Sequence, residues 1–173
     1  IEGFAKAVRE GVNGHLTIIG AGERERRLKD LAASLHAADR ITFAGVLPAK
    51  EVASTLAGAD VLLAPSVTTA GGDRESGLIA AKEASASGVV PIGSRHGGIP
   101  EIIDDDVTGY LVPERDVGAI ADRLTRLYRD PALRKNMGLA ARAKMEREYD
   151  IRVRVQALEH HYDEALDRFR AGS

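Results

Sequence analysis

Five short apolar runs, HLTII, ITF, DVLLA, VVPI and YLV, recur along the chain, and each is followed by a polar turn and a stretch with helical spacing. Runs this short are strands rather than helices. Several carry almost no polar residue, which is the pattern of strands buried on both faces of a parallel sheet. Strand and helix in regular alternation then predict an α/β domain: a doubly wound, Rossmann-like parallel sheet with helices on both faces.

The spacing predicts strands at residues 15–19, 41–43, 60–64, 89–92 and 110–112. Between them it predicts a charged helix over ERERRLKDLAASLHA, one from Lys50 to Ala57 with Pro48 at its entry, and one over GLIAAKEASAS closed by Gly88. From Asp116 onward the pattern is helical throughout, a tail of three helices. The length of 173 residues suits one domain with a core of its own, and no linker or repeat divides it.

Charge and composition remove several function classes. Lys+Arg of 24 against Asp+Glu of 26 leaves a formal charge of -2, which gives no basic footprint for nucleic acid. With Cys 0 there is no disulfide frame, no thiolate nucleophile and no cysteine zinc site, a composition suited to a reducing cytoplasm. The longest apolar stretch, from Gly77 to Gly93, is interrupted by Lys82 and Glu83 and is too short to span a bilayer. The opening IEGFAKAVREG reads as the middle of a helix, so the sequence is expected to be an excised piece of a longer chain.

Ligands of open parallel sheets bind beyond the carboxyl ends of the strands. The loop after Ile19, Gly20-Ala21-Gly22, lacks the third glycine of a dinucleotide fingerprint and carries Glu23, so it reads as a plain turn. The loop after Ala64 is more informative. It brings Glu75 to a helix start in ESGLIAAKE, and Glu83 follows eight positions later, about two turns or 12 Å along an axis. That separation exceeds the span of two carboxylates flanking one glycosidic bond, and it suits the two ends of one extended ligand. Between them the amides of Ser76, Gly77, Leu78 and Ile79 are expected to be the free donors of a helix N-terminus, a phosphate site. Carboxylates for hydroxyls and amides for a bridging phosphate outline a nucleotide diphosphate sugar.

The segment PSVTTAGGDRESGLIAAKEASASGVVPIGSRHGGIPEII, with two glutamates separated by seven residues, resembles the donor-binding part of retaining glycosyltransferases of family four, which have the two-domain GT-B fold. LTIIGAGERERRLKDLA, ADRITFAGVLP, ADVLLAPS and GYLVPERDVGAIADRLTRLYRDPALRKNMG resemble the flanking segments in order, and the Asp-containing loop before Glu75 is most similar to enzymes of bacterial exopolysaccharide assembly. The resemblance implies that residues 1–173 are a nucleotide-sugar-binding domain whose first strand and N-terminal acceptor domain lie outside this sequence. It implies that Glu75 is the catalytic-site carboxylate on the donor hexose, that Glu83 binds ribose, that the backbone of Ser76 to Ile79 meets diphosphate and sugar, and that Leu47 meets the base.

Leu78 departs from the glycine or proline common there, and the family's Arg and Lys that neutralise the leaving diphosphate belong to a segment preceding this sequence. The implied activity is transfer of a hexose from a nucleotide diphosphate sugar to a saccharide or lipid acceptor, without metal or other cofactor, in the cytoplasm or at the inner face of the membrane. The alternatives are a non-catalytic nucleotide-binding module and a GT-B sugar-nucleotide epimerase. Each candidate also has a plainer reading. Glu75 alone is a favourable charge at a helix start, and Glu83 either faces the buried side, where a carboxylate needs a partner, or lies exposed beside Lys82. His96 reads as a polar turn residue, Arg74 as a solvated loop cation, and Asp104 to Asp106 as a solvated run. Glu101 has no assigned role, and His160 and His161 lack a third zinc ligand nearby.

Overall fold

The computed structural model describes residues 1–69, 71–72 and 77–171. Element order is α1 (Glu2–Arg9), β1 (Leu16–Ile19), α2 (Glu25–Ser34), β2 (Ile41–Gly45), α3 (Ala49–Ala57), β3 (Val61–Ala64), α4 (Ile79–Ala86), β4 (Val90–Ser94), α5 (Ile99–Ile102), β5 (Tyr110–Val112), α6 (Val117–Arg129), α7 (Pro131–Glu148) and α8 (Ile151–Ala171). Each of the five predicted strands is present within two residues of its expected bounds.

Every ladder among these strands is parallel. The expected continuous sheet is divided, however: β1 pairs with β2, and β3, β4 and β5 pair in that order. No ladder joins β1 to β3 among the described residues, so the helices, rather than backbone hydrogen bonds, hold the two sheets together. Leu124 of α6 makes that connection, since it packs against the core of the three-stranded sheet and against the cluster of Phe4, Ala5, Ala32 and Ile41 beneath the other.

Helices cover both faces of the three-stranded sheet, as the uninterrupted apolar runs required. On one face Leu62 and Leu111 meet Ala81 of α4, Ile99 and Ile102 of α5 and Met145 of α7. On the other, Val90, Ile92, Tyr110 and Val112 meet Leu127 of α6 and Met137 of α7. All five residues of β4 are buried, which identifies it as the central strand of that sheet.

The helix ends follow from local chemistry. Gly88, at φ 77, closes α4: its amide bonds to the Ser85 carbonyl and that of Val89 reaches back to Ala84, at 3.0 and 2.9 Å. That paired arrangement satisfies carbonyls the helix leaves open. Asp116 and Asp130 cap α6 and α7, each carboxylate accepting an amide three residues on at 2.8 Å. Glycine also sets the seat of α7, because a side chain at Gly138 would meet the Gly88 carbonyl oxygen at 2.2 Å. In contrast, α8 has no buried residue and leaves Ile151, Leu158, Tyr162 and Phe169 exposed.

Candidate functional site

The parallel ladders point the ends of β3, β4 and β5 the same way, so the connections leaving Ala64, Ser94 and Val112 emerge side by side. The connection from β3 leads to α4. That helix begins later than its sequence implied: Gly77 and Leu78 are not helical, Leu78 is the N-cap, and Ile79 is the first helical residue. Leu78 supplies no capping side chain, and its carbonyl accepts the Ala81 amide at 3.0 Å. Glu75 and Ser76, with Arg74, lie outside the described residues, and the two-turn spacing expected of a helix begun at Glu75 does not apply to a helix begun at Ile79.

Glu83 lies on the exposed side of α4. Ala81, Ala84 and Ser85 take the buried face, whereas Glu83 stands one turn below Ile79, itself 68% exposed. The reading of Glu83 as a carboxylate turned toward the sheet is thereby corrected. Lys82 beside it is half-buried, with its ammonium 5.0 Å from the Tyr149 ring. Leu47, half-buried after β2, is carried by the other sheet.

His96 opens a turn, as its neighbours Gly97 and Gly98 implied, with the Ile99 amide bonded to its carbonyl at 3.0 Å, but its side chain is buried. It is 3% exposed, and its Nδ1 lies 2.8 Å from Oε1 of Glu114, in the connection after β5. Glu114 accepts the Thr68 amide at 2.8 Å through its other oxygen and the Thr68 hydroxyl at 3.1 Å. The Thr68 amide first, then the His96 ring, pull the Glu114 carboxyl down to about 2. A group so acidic is an acceptor only, so the His96 Nδ1 carries the proton and donates. Arg115 donates to the Thr68 carbonyl at 3.2 Å, and the Ser94 hydroxyl to that of Ser66 at 2.5 Å.

The aspartate run is likewise built into the fold. Asp104 pairs with the buried ammonium of Lys144 at 2.7 Å, Asp105 pairs with Arg95 and accepts the Leu111 amide, and Asp106 pairs with Arg126 at 3.2 Å. Asp104 and Asp106 stay exposed in the turn, as their sequence implied, and the ion pairs add to that reading. The backbone at Glu101 has a role as well, since its carbonyl accepts from Lys144 and from the Tyr149 hydroxyl at 3.0 and 3.1 Å. His160 and His161 both approach Glu164 on α8, at 3.2 and 3.9 Å. A cavity of about 210 Å³ opens at the same strand ends, lined by Pro65, Val67, Ser94, Pro113 and Arg115 and by the start of α1. None of the described candidate residues lines it.

The family described as "Glycosyl transferases group 1" matches residues 1–144, and the chain belongs to that family. It is similar to the amylovoran biosynthesis glycosyltransferase AmsK of Erwinia amylovora, at 40% identity over 142 residues, which cover 82% of this chain and 35% of that protein. Among solved structures it is similar to the C-terminal domain of a glycosyl transferase group 1 family protein from Francisella tularensis, at 26% identity and a TM-score of 0.75, with 87% of this chain and 79% of that one covered. The fold is shared with HepE of Anabaena in complex with UDP-glucose, at 17% identity and a TM-score of 0.79, over 94% of this chain and 44% of that one. The chain spans between 30 and 41% of the length of its first curated relatives. No helix among the described residues is long and apolar enough to cross a membrane.

Proposed function

We propose that this chain is the donor-binding half of a retaining glycosyltransferase, which moves a hexose from a nucleotide diphosphate sugar onto a saccharide or lipid acceptor in polysaccharide or glycolipid assembly. The observation that carries the reading is the start of α4 after β3, where the N-cap Leu78 offers no capping side chain, with Glu83 exposed one turn beyond Ile79. Amides at a helix start favour phosphate, and a carboxylate one turn away is a hydroxyl acceptor. The UDP-glucose bound by HepE, a protein of the same fold, supports a ligand of this class.

In this reading the amides of Gly77, Leu78 and Ile79 meet the diphosphate, Glu83 the ribose and Leu47 the base. Glu75 and Ser76, outside the described residues, take the hexose end. Charge on the ligand is met by the helix start, which leaves a divalent ion no task. The positive charge that stabilises the departing diphosphate is assigned to the family's Arg and Lys, outside this sequence. The chain by itself is therefore expected to bind the donor without transferring it.

Titration of the chain with UDP, GDP and ADP and with their hexose-bearing forms tests the reading. Glu83→Ala is expected to weaken the bare nucleoside diphosphate by about 1 to 3 kcal/mol, the worth of a hydrogen bond to a charged group. Glu75→Ala is expected to leave the bare diphosphate alone and to weaken only the sugar-bearing form. EDTA should change neither. Equal losses of bare diphosphate in both variants would refute the division of roles, and affinity that collapses with EDTA would refute the metal-free site.

A further inference from the structure

The residues just after β3 are held by an unusual concentration of side chains. Loop backbone is ordinarily satisfied by water. Here the Thr68 amide and hydroxyl both go to Glu114, its carbonyl takes Arg115, and the Ser66 carbonyl takes Ser94. Strand pairing plays no part, since β3 has ended at Ala64. Behind Glu114 stands His96, whose burial at 3% exposure costs free energy unless its ring is bonded. The far end of the same connection is fixed differently: Leu78 packs against the cluster that contains Ala81 and Ile99.

A buried imidazole is not needed merely to close a loop between a strand and a helix. The β3–α4 connection is, however, the segment that carries the hexose-binding residues in the reading above, and the inference rests on that reading. The geometry points to His96 as a positioning residue: clamped to Glu114, it fixes the chain at Thr68, where the connection leaves the sheet, and so favours binding of the hexose-bearing donor. His96 acts through Glu114 and Thr68 and need not touch the ligand. Glu114 shares the task as the bidentate acceptor between the ends of β3, β4 and β5.

The test separates positioning from plain structural support. Amide exchange of the ligand-free chain, wild type against His96→Ala, is expected to rise about tenfold at Thr68, the loss of one modest hydrogen bond, with amides of β4 and β5 nearly unchanged. Titration with UDP-glucose, GDP-mannose and ADP-glucose, and with bare UDP, GDP and ADP, should give a hexose-donor Kd about tenfold higher in His96→Ala and an unaltered bare-diphosphate Kd. His96→Gln, whose side-chain amide can donate to Glu114, should recover most of the loss. Should His96→Ala fail to fold, Glu114→Gln keeps the volume and weakens the same contacts, with the same split expected.

Equal losses for both kinds of ligand, or exchange raised throughout β4 and β5, would overturn the positioning role and leave the donor site standing. A wild-type chain that binds none of these nucleotides would refute the donor site, and with it the task assigned to His96.

Discussion

In the half built on the three-stranded sheet two ionisable side chains, Lys144 and His96, are buried and paired, whereas around β1 and β2 the polar pairs lie in the open. Lys144 is 5% exposed and held by Asp104 and the Glu101 carbonyl, and His96 is closed over Glu114. In the other half, Arg40 to Asn13, His15 to Thr42 and Lys29 to Glu25 are all exposed contacts. Buried polar groups cost free energy unless satisfied, so they constrain the backbone around them, while exposed pairs exchange readily with water. The half with the buried pairs is also the half that carries the start of α4 and Glu83. The sheet bearing Leu47 has no comparable network among the described residues.

If that contrast is real, the largest effect should come from Asp104→Ala. It strands the Lys144 ammonium with one carbonyl, and a loss of about 3 kcal/mol is expected, the low end for breaking a buried pair because the carboxylate itself is half in water. Lys144→Met keeps the apolar stem and removes the charge, and should cost about 1 kcal/mol or less. Urea midpoints measure both. Equal and small costs would make this pair no different from those around β1 and β2.

A second comparison uses glycine. At Gly138 an added methyl would strike the Gly88 carbonyl oxygen, and Gly138→Ala should cost about 1 to 3 kcal/mol, the usual range for overpacking. Gly22, after β1, has no atom within 4 Å of the same methyl, so Gly22→Ala should stay within about 0.5 kcal/mol. Thermal unfolding of the two variants checks the difference.

Acid should also act on one half first. The Glu114 carboxyl sits at about 2, below its ordinary 4.5, so its contribution is complete above pH 4.5 and is lost as pH falls toward 2. Melting temperature followed over that window should drop more steeply for wild type than for Glu114→Gln. Parallel curves would mean that the carboxylate is not held by Thr68 and His96 in solution.

The strands were legible because burial on both faces leaves an uninterrupted apolar run, as VLLA and VVPI do, and Gly88 was legible as a stop because its left-handed backbone favours glycine. The phase of α4 was not. Its buried face consists of Ala81, Ala84 and Ser85, and alanines also stand on its exposed side, so the pattern lacked the contrast that would place Glu83 outward. The burial of His96 was hidden for a different reason. Arg-His-Gly-Gly is a turn by local rules, and its burial depends on Glu114 and Thr68, 18 and 28 residues away. Asp104, Asp105 and Asp106 find their side-chain partners 40, 10 and 20 residues away. Contacts at that range leave no local trace.

The smallest effect is expected at Lys29, and it discriminates between two weak interactions on the open half. Its ammonium is 2.6 Å from Glu25 one turn earlier and 5.4 Å from the centre of the Phe43 ring on β2. An exposed pair at this helical spacing contributes about 0.3 to 0.5 kcal/mol, and an exposed cation over a ring about 0.5 to 1 kcal/mol. Glu25→Gln removes only the first, and at 1 M salt, where the screening length falls to about 3 Å, its cost should shrink. Lys29→Met removes both charge contacts while keeping an apolar stem over Phe43, so its larger cost should survive the salt in part. If instead Glu25→Gln costs as much as the loss expected for Asp104→Ala, an exposed pair is as decisive as a buried one, and the contrast between the two sheets fails.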